Sequence, residues 1–243
     1  MDGLKEAPGS RTVELTRQTT VRLIPAAILQ PRLKLVDGDR LITGPPFSLG
    51  NIVEEGLSPS ERIQVPVNGV IAQRVLYSFE ASRRQLNRFN APGDDGVYYA
   101  GTTLPASIAE IQWHLENPAG APHFDRTRAY RAVLADMRGS FLDLREADTP
   151  ALIPDPSESY EAGRELARLA RTGGWDGILY PSARHPDGVC LAAFDQKAVS
   201  SIRLGQMLAF EPYEVGERVR YGYRNIIPQH LAHEQGIGVG LSR

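Results

Sequence analysis

The chain has 243 residues, 42% of them hydrophobic and 23% charged, with 27 Lys plus Arg against 29 Asp plus Glu. That balance is ordinary for a soluble globular protein and excludes disorder along the whole length. The formal net charge of −2 excludes a fold that holds nucleic acid through a globally basic surface. No apolar run approaches the ~20 residues needed to cross a bilayer, and Met1–Glu6 lacks the basic and then apolar pattern of a signal peptide. A cytoplasmic protein with no membrane contact is expected.

Residues 1 to about 68 are broken into short pieces by Gly44-Pro45-Pro46 and Gly50-Asn51, although Thr20–Leu29 is apolar enough to pack. They are expected to form an N-terminal extension lying on a second unit, 69–243. There, Val70–Tyr77 fits a strand carrying Arg74. Ala91-Pro92-Gly93-Asp94-Asp95-Gly96 supplies the backbone angles of a turn before a short strand, Val97–Ala100. A helix is expected over 105–116. Pro105 suits its first turn, Ile108, Ile111 and Leu115 share an apolar face, and Glu110 and His114 share the neighbouring one.

Tyr130–Ala135 and Phe141–Leu144 read as two strands separated by a glycine-containing turn. Asp155-Pro156-Ser157-Glu158 has the pattern of a helix start, and Gly173-Gly174 ends that helix after Arg164, Arg168 and Arg171. Ile178–Tyr180 and Val189–Phe194 follow as strands. The single cysteine, Cys190, lies in the second of them and reads as core; alone, it excludes an intrachain disulfide and a multi-cysteine metal site. One more strand is expected at Arg218–Tyr223 and a short helix near Gln229–Gln235. Strands mixed with few helices, without regular alternation, give an α+β class.

Three stretches carry chemistry: Asn87-Arg88-Phe89-Asn90, Val97-Tyr98-Tyr99-Ala100 and Ala106–Glu110. They place Arg88, Tyr99 and Glu110 at equal steps of 11. Tyr180-Pro181-Ser182-Ala183-Arg184 adds a hydroxyl at a strand end. An arginine, an aromatic ring, a carboxylate and a hydroxyl suit a ligand that is anionic at one end and aromatic at the other. Together with Gln73-Arg74-Val75 and Val189–Phe194, these pieces resemble the RES-domain family, named for a recurrent Arg, Glu and Ser. The resemblance runs over roughly Val70 to Ser201.

The resemblance implies a fold similar to ADP-ribosyltransferases and a toxin of a bacterial toxin–antitoxin pair. Such a toxin consumes NAD and is held inactive by a helix-turn-helix-type antitoxin. NAD is then the substrate and no metal is required. Glu110, Arg88 and Ser182 take the catalytic places, and Arg74, Arg88, Tyr99 and Ser182 the NAD-binding ones. The glycosidic bond between ribose and nicotinamide breaks through a cationic state, which a fixed carboxylate at Glu110 stabilises. Guanidinium forks at Arg74 and Arg88 match diphosphate or ribose oxygens.

Strand alternation sends Tyr98 and Tyr99 to opposite faces, so only one lines the pocket. The acceptor of the ADP-ribosyl group is water or phosphate; a protein side chain, making the chain a mono-ADP-ribosyltransferase, is the alternative. A non-catalytic NAD-binding or interaction protein on the same scaffold is the reading from another class. Gly236-x-Gly238-x-Gly240 lacks the helix of a dinucleotide fingerprint. His230 and His233 lack a third ligand, and Arg184 and His185 fit a phosphate contact or a solvated loop equally well.

Overall fold

The computed structural model describes residues 8–25, 78–117, 129–154 and 156–226, together with the backbone of 34–37, 40–41 and 51–53. The expected strand Val70–Tyr77 with Arg74, the Asp155 cap, the helix near Gln229–Gln235, His230, His233 and the Gly236–Gly240 run lie outside the described residues. In chain order the strands are β1 (Arg11–Pro25), β2 (Lys34–Asp37), β3 (Arg40–Leu41), β4 (Asn51–Val53), β5 (Tyr98–Gly101), β6 (Ala129–Asp143), β7 (Gly177–Pro181), β8 (Val189–Ala193), β9 (Val199–Val215) and β10 (Arg218–Ile226). The two long described helices are α1 (Leu104–Glu116) and α2 (Pro156–Thr172). The class is mixed α+β.

Seven strands form one sheet in the order β1-β5-β8-β7-β6-β9-β10, and β1 also pairs with β6, so the first five close into a ring. Closure works because β6 is long enough to serve three partners. One edge runs antiparallel to β1 from Arg11↔Asp143 to Pro25↔Tyr130. The other edge pairs with β9 along 129–137 and then with β7, in parallel, along 141–143. The ring leaves no open edge between β1 and β6. Tyr98, Val133, Ala135, Met137, Phe141 and Leu191 belong to the core cluster on its inner face. β2, β3 and β4 form a separate small sheet.

Residues 11–25 therefore belong to the same sheet as the downstream strands. β1 is fastened by ion pairs to two buried carboxylates of β6. Arg17 and Arg203 meet Asp136 at 2.9 Å each, and Arg11 and Arg145 meet Asp143 at 3.0 and 2.8 Å. The Arg203 hydrogen bond, with help from Thr19 and Arg17, outweighs burial and holds the Asp136 carboxyl at about 2.

Two expectations are corrected. The segment 129–143 is one strand, with no reversal at Gly139. Gly139 has φ +123°, and a Cβ there would meet Asp176 Oδ2 at 2.2 Å, so glycine marks a bend where the strand passes from β9 to β7. The Asp176 carboxylate accepts from the Ser140 amide at 2.8 Å and fixes that bend. The tail holds two strands where one was expected. β9 runs 17 residues and pairs with β6 and β10.

The helices dock outside the ring. Thr103 caps α1, its hydroxyl accepting from the Ala106 amide, and Pro105 sits in the first turn. Ile108, Ile111 and Leu115 bury against Val21, Leu23, Tyr130 and Phe210. α2 buries Leu166, Ala167 and Ala170 against Leu142, Ile178 and Ala192. It ends where Gly174, at φ +83°, lets the Gly174 amide reach the Arg171 carbonyl and the Trp175 amide reach that of Ala170. Among the described residues no helix is long and apolar enough to cross a membrane.

Candidate functional site

Glu110 lies on the face of α1 beside its apolar stripe, and its position follows from the Thr103 cap and the burial of Ile108 and Ile111. It is partly exposed yet closely enclosed. Burial raises its carboxyl pKa, while Arg184, Arg88 and a hydrogen bond from Ser182 pull the other way. The Ser182 hydroxyl donates a long bond of 3.4 Å to Glu110 Oε1. The Ser182 hydroxyl oxygen itself accepts from the amides of Arg184 at 3.2 Å and His185 at 3.1 Å. One hydroxyl thus shapes the turn after β7 and ties it to α1.

Arg88 enters from the loop that precedes β5. Its Nη1 donates to the carbonyls of Ala151 and, at 3.2 Å, Ile153. Gly163 of α2 lies against its main chain, with room for no larger residue. Arg184 reaches the same segment, donating to Pro154 O at 3.0 Å, and its guanidinium lies 3.8 Å from the centroid of the Trp113 ring. Two guanidinium groups therefore flank one carboxylate, each anchored to carbonyls of 151–154.

Tyr98 and Tyr99 point to opposite faces, as alternation requires. Tyr98 is fully buried beneath Arg22 in the core cluster of the ring, and burial pushes its hydroxyl up to about 12. Tyr99 faces the cleft side and stacks on Phe89 at 6.4 Å. Its hydroxyl accepts from the Phe89 amide at 3.1 Å and donates to Asn90 Oδ1 at 2.9 Å. The phenol thereby holds the Asn87–Asn90 turn that delivers Arg88. Tyr180 and Cys190 form the floor, each feeling the charges of Glu110 and Arg88. Burial lifts the Cys190 thiol to about 12, in keeping with a packing role.

The structure brings Arg88, Glu110 and Ser182 within electrostatic reach of one another, with Tyr99 holding the turn that carries Arg88; Arg74 lies outside the described residues. Sequence reasoning missed Tyr160, which α2 presents to Arg88, Glu110 and Arg184. Its spacing before Gly163, the point where α2 meets Arg88, is the signal that was available. His114 stands one turn beyond Glu110. Burial and then Arg184 lower it to about 4, so it is neutral near pH 7. A cavity of about 560 Å³ opens on the 181–189 turn, lined by that turn, Ser182 and Arg184 included, and by Arg145.

Chemically, the cleft offers an enclosed carboxylate, two permanent cations and aromatic surface. The set suits a cationic reacting carbon beside an anionic group. No curated protein matches the sequence. Among solved structures, one similar to this chain is the M. tuberculosis MbcT–MbcA toxin–antitoxin complex. The TM-score is 0.43 and the identity 15%, over 92% of this chain and 90% of that chain. A family model described as RES domain matches residues 63–212, more than half of the sequence. The chain belongs to the RES-domain family.

Proposed function

We propose that this protein cleaves the bond between nicotinamide and ribose in NAD and passes ADP-ribose to water or phosphate. In this reading it is the toxin of a toxin–antitoxin pair with an ADP-ribosyltransferase-like fold. The observation that carries the reading is the enclosed Glu110 carboxylate, flanked by Arg88 and Arg184 and hydrogen-bonded by Ser182. As the C–N bond breaks, its electron pair leaves with nicotinamide, which departs neutral, and positive charge develops on the ribose carbon. In this reading the Glu110 carboxylate stabilises that charge, and its enclosure strengthens the interaction.

Arg88 supplies a cation for the diphosphate, and the 181–189 cavity has room for part of the dinucleotide. Ser182, with its hydroxyl shared among Glu110, Arg184 and His185, acts in this reading on the glutamate first. Arg74 remains a candidate second contact to the diphosphate or ribose. Water or phosphate then adds to the ribose carbon and gives up a proton to solvent.

The test uses NAD labelled on the adenylate half, incubated with purified protein and host lysate, with and without phosphate. Free nicotinamide, together with labelled ADP-ribose or its phosphate, is the expected outcome. Label retained on a discrete host protein would overturn the reading in favour of a mono-ADP-ribosyltransferase. For the toxin role, induction of the chain alone drains cellular NAD and arrests growth, and co-expression of an antitoxin protein restores it; an unchanged NAD pool in arrested cells contradicts that role.

A further inference from the structure

Arg184 lies outside the set that motif spacing selects, and its loop is fit for solvent. Three contacts nevertheless hold it in the cleft. Its guanidinium lies 3.8 Å from the centroid of the Trp113 ring, its Nη2 donates to Pro154 O at 3.0 Å, and its amide is bound at 3.2 Å by the Ser182 hydroxyl that also meets Glu110. Trp113 stands three residues after Glu110 on α1, so both project from neighbouring faces of one helix. A cation over an indole face is attracted to it without losing its charge.

We propose that Trp113 and Arg184 form a positioning arm for Glu110: the indole holds the guanidinium beside the carboxylate, which stays negative and fixed opposite the ribosyl cation. The proposal rests on the NAD-cleaving reading for its chemistry. Its geometry is the seat of Arg184 over Trp113 and the Ser182 hydroxyl shared by the Arg184 amide and the Glu110 carboxylate. Every element around Glu110 contributes a group: Arg88 from the loop before β5, Tyr160 from α2, Tyr180 from β7, Cys190 from β8, and Ser182 with Arg184 from the turn between β7 and β8. His114 is on the same helix. Arg88 and Arg184 are the cations among them, and without Arg184 burial faces one cation where it now faces two.

The arm explains why the 182–188 turn is so firmly built. The Ser182 amide donates to Gly188 O at 2.8 Å, the Gly188 amide to His185 O at 3.0 Å, and Asp187 takes φ +59° to close the turn. A loose loop would leave Arg184 on solvent. This one delivers it to Trp113.

The experiment follows the Glu110 carboxyl directly by ¹³C NMR titration, assigned by its disappearance in Glu110→Gln. In Arg184→Gln the midpoint is expected to rise by about one pH unit, the low end for loss of a neighbouring opposite charge. Trp113→Leu moves it the same way and Trp113→Phe, which keeps an aromatic face, restores it. In nicotinamide release, Arg184→Gln and Trp113→Leu shift the acid limb of kcat upward by the same interval, about tenfold at a fixed pH on that limb, with the smaller change in KM. An unmoved midpoint in Arg184→Gln, or a pH-independent loss of activity, overturns the arm. If wild-type protein releases no nicotinamide, the NAD-cleaving reading falls while the carboxyl titration still decides the arm. Should Trp113→Leu fail to fold, Arg184→Gln, a change at a partly exposed side chain, carries the decision.

Discussion

Replacing Gly163 by alanine tests how the family arginine is held. A Cβ at this position inside α2 would meet Arg88 O at 2.3 Å and Arg88 Cγ at 3.0 Å. Helix propensity alone favours the change by roughly 1 kcal/mol. The contact opposes it, because carbon prefers separations of ~3.5–4.0 Å and a main-chain carbonyl cannot rotate aside. Overpacking of this kind costs about 1–3 kcal/mol, and the depth of this overlap places it in the upper half of that range. The net expectation is a loss of about 1–2 kcal/mol, or roughly 2–8 °C in Tm for a chain of this size. The assay pairs thermal and urea denaturation with nicotinamide release, which falls as Arg88 is pushed from its anchor. Gly174→Ala serves as control: at φ +83° with nothing within 4 Å it meets only backbone strain, and activity persists. A Gly163→Ala protein with raised Tm and full activity would refute the account, since propensity would then act unopposed.

The remaining predictions concern charge and hydrogen bonding. Because the Glu110 pKa is raised, kcat/KM falls with acid at a midpoint above the usual ~4.3. The folded state also keeps that proton to higher pH than the unfolded chain, so the ionised carboxylate weakens the fold at neutral pH and Glu110→Gln raises Tm there. Asp136 has the opposite sign: held at about 2, it stabilises above the unfolded value near ~3.9, and this is lost as pH falls through the window. Asp136→Asn is expected to cost about 2–3 kcal/mol at neutral pH in urea melts, with the acid limb of stability flattened. Tyr99→Phe strands the Phe89 amide and is expected to cost about 1–3 kcal/mol, with KM for NAD rising through a loosened Arg88 turn. A KM change without loss of stability would mean that the phenol touches substrate itself.

Local signals in the sequence located the elements that carry the site. The Pro92–Gly96 turn marks β5, Thr103 and Pro105 mark α1, and Gly173-Gly174 marks the end of α2; each acts within a few residues of itself. The closed ring was not legible. It depends on β1 pairing along all of β6, a contact about 120 residues away in sequence. The alternating burial of β1 is broken by a shift between Leu15 and Gln18, opposite Gly139, which itself reads as a turn. β9 hides behind Ser200 and Ser201, the latter at φ +49°, which interrupt its alternation. In the site, Arg88, Glu110 and Ser182 carry a recognisable context. Arg184 has none, because it differs from a solvated loop arginine only through Trp113, about seventy residues earlier and on another element.

The most direct test of the central claim is the rate of nicotinamide release from NAD by the wild-type protein and by Glu110→Gln, each shown folded by circular dichroism. The substitution keeps the shape of the side chain and its bond to Ser182 while removing the negative charge. If the carboxylate stabilises the ribosyl cation, release falls by roughly 10²-fold or more, the loss typical of one preorganised electrostatic group. The same variant retains its affinity for ADP-ribose. Turnover within a few-fold of wild type would remove Glu110 from the reaction and contradict the account.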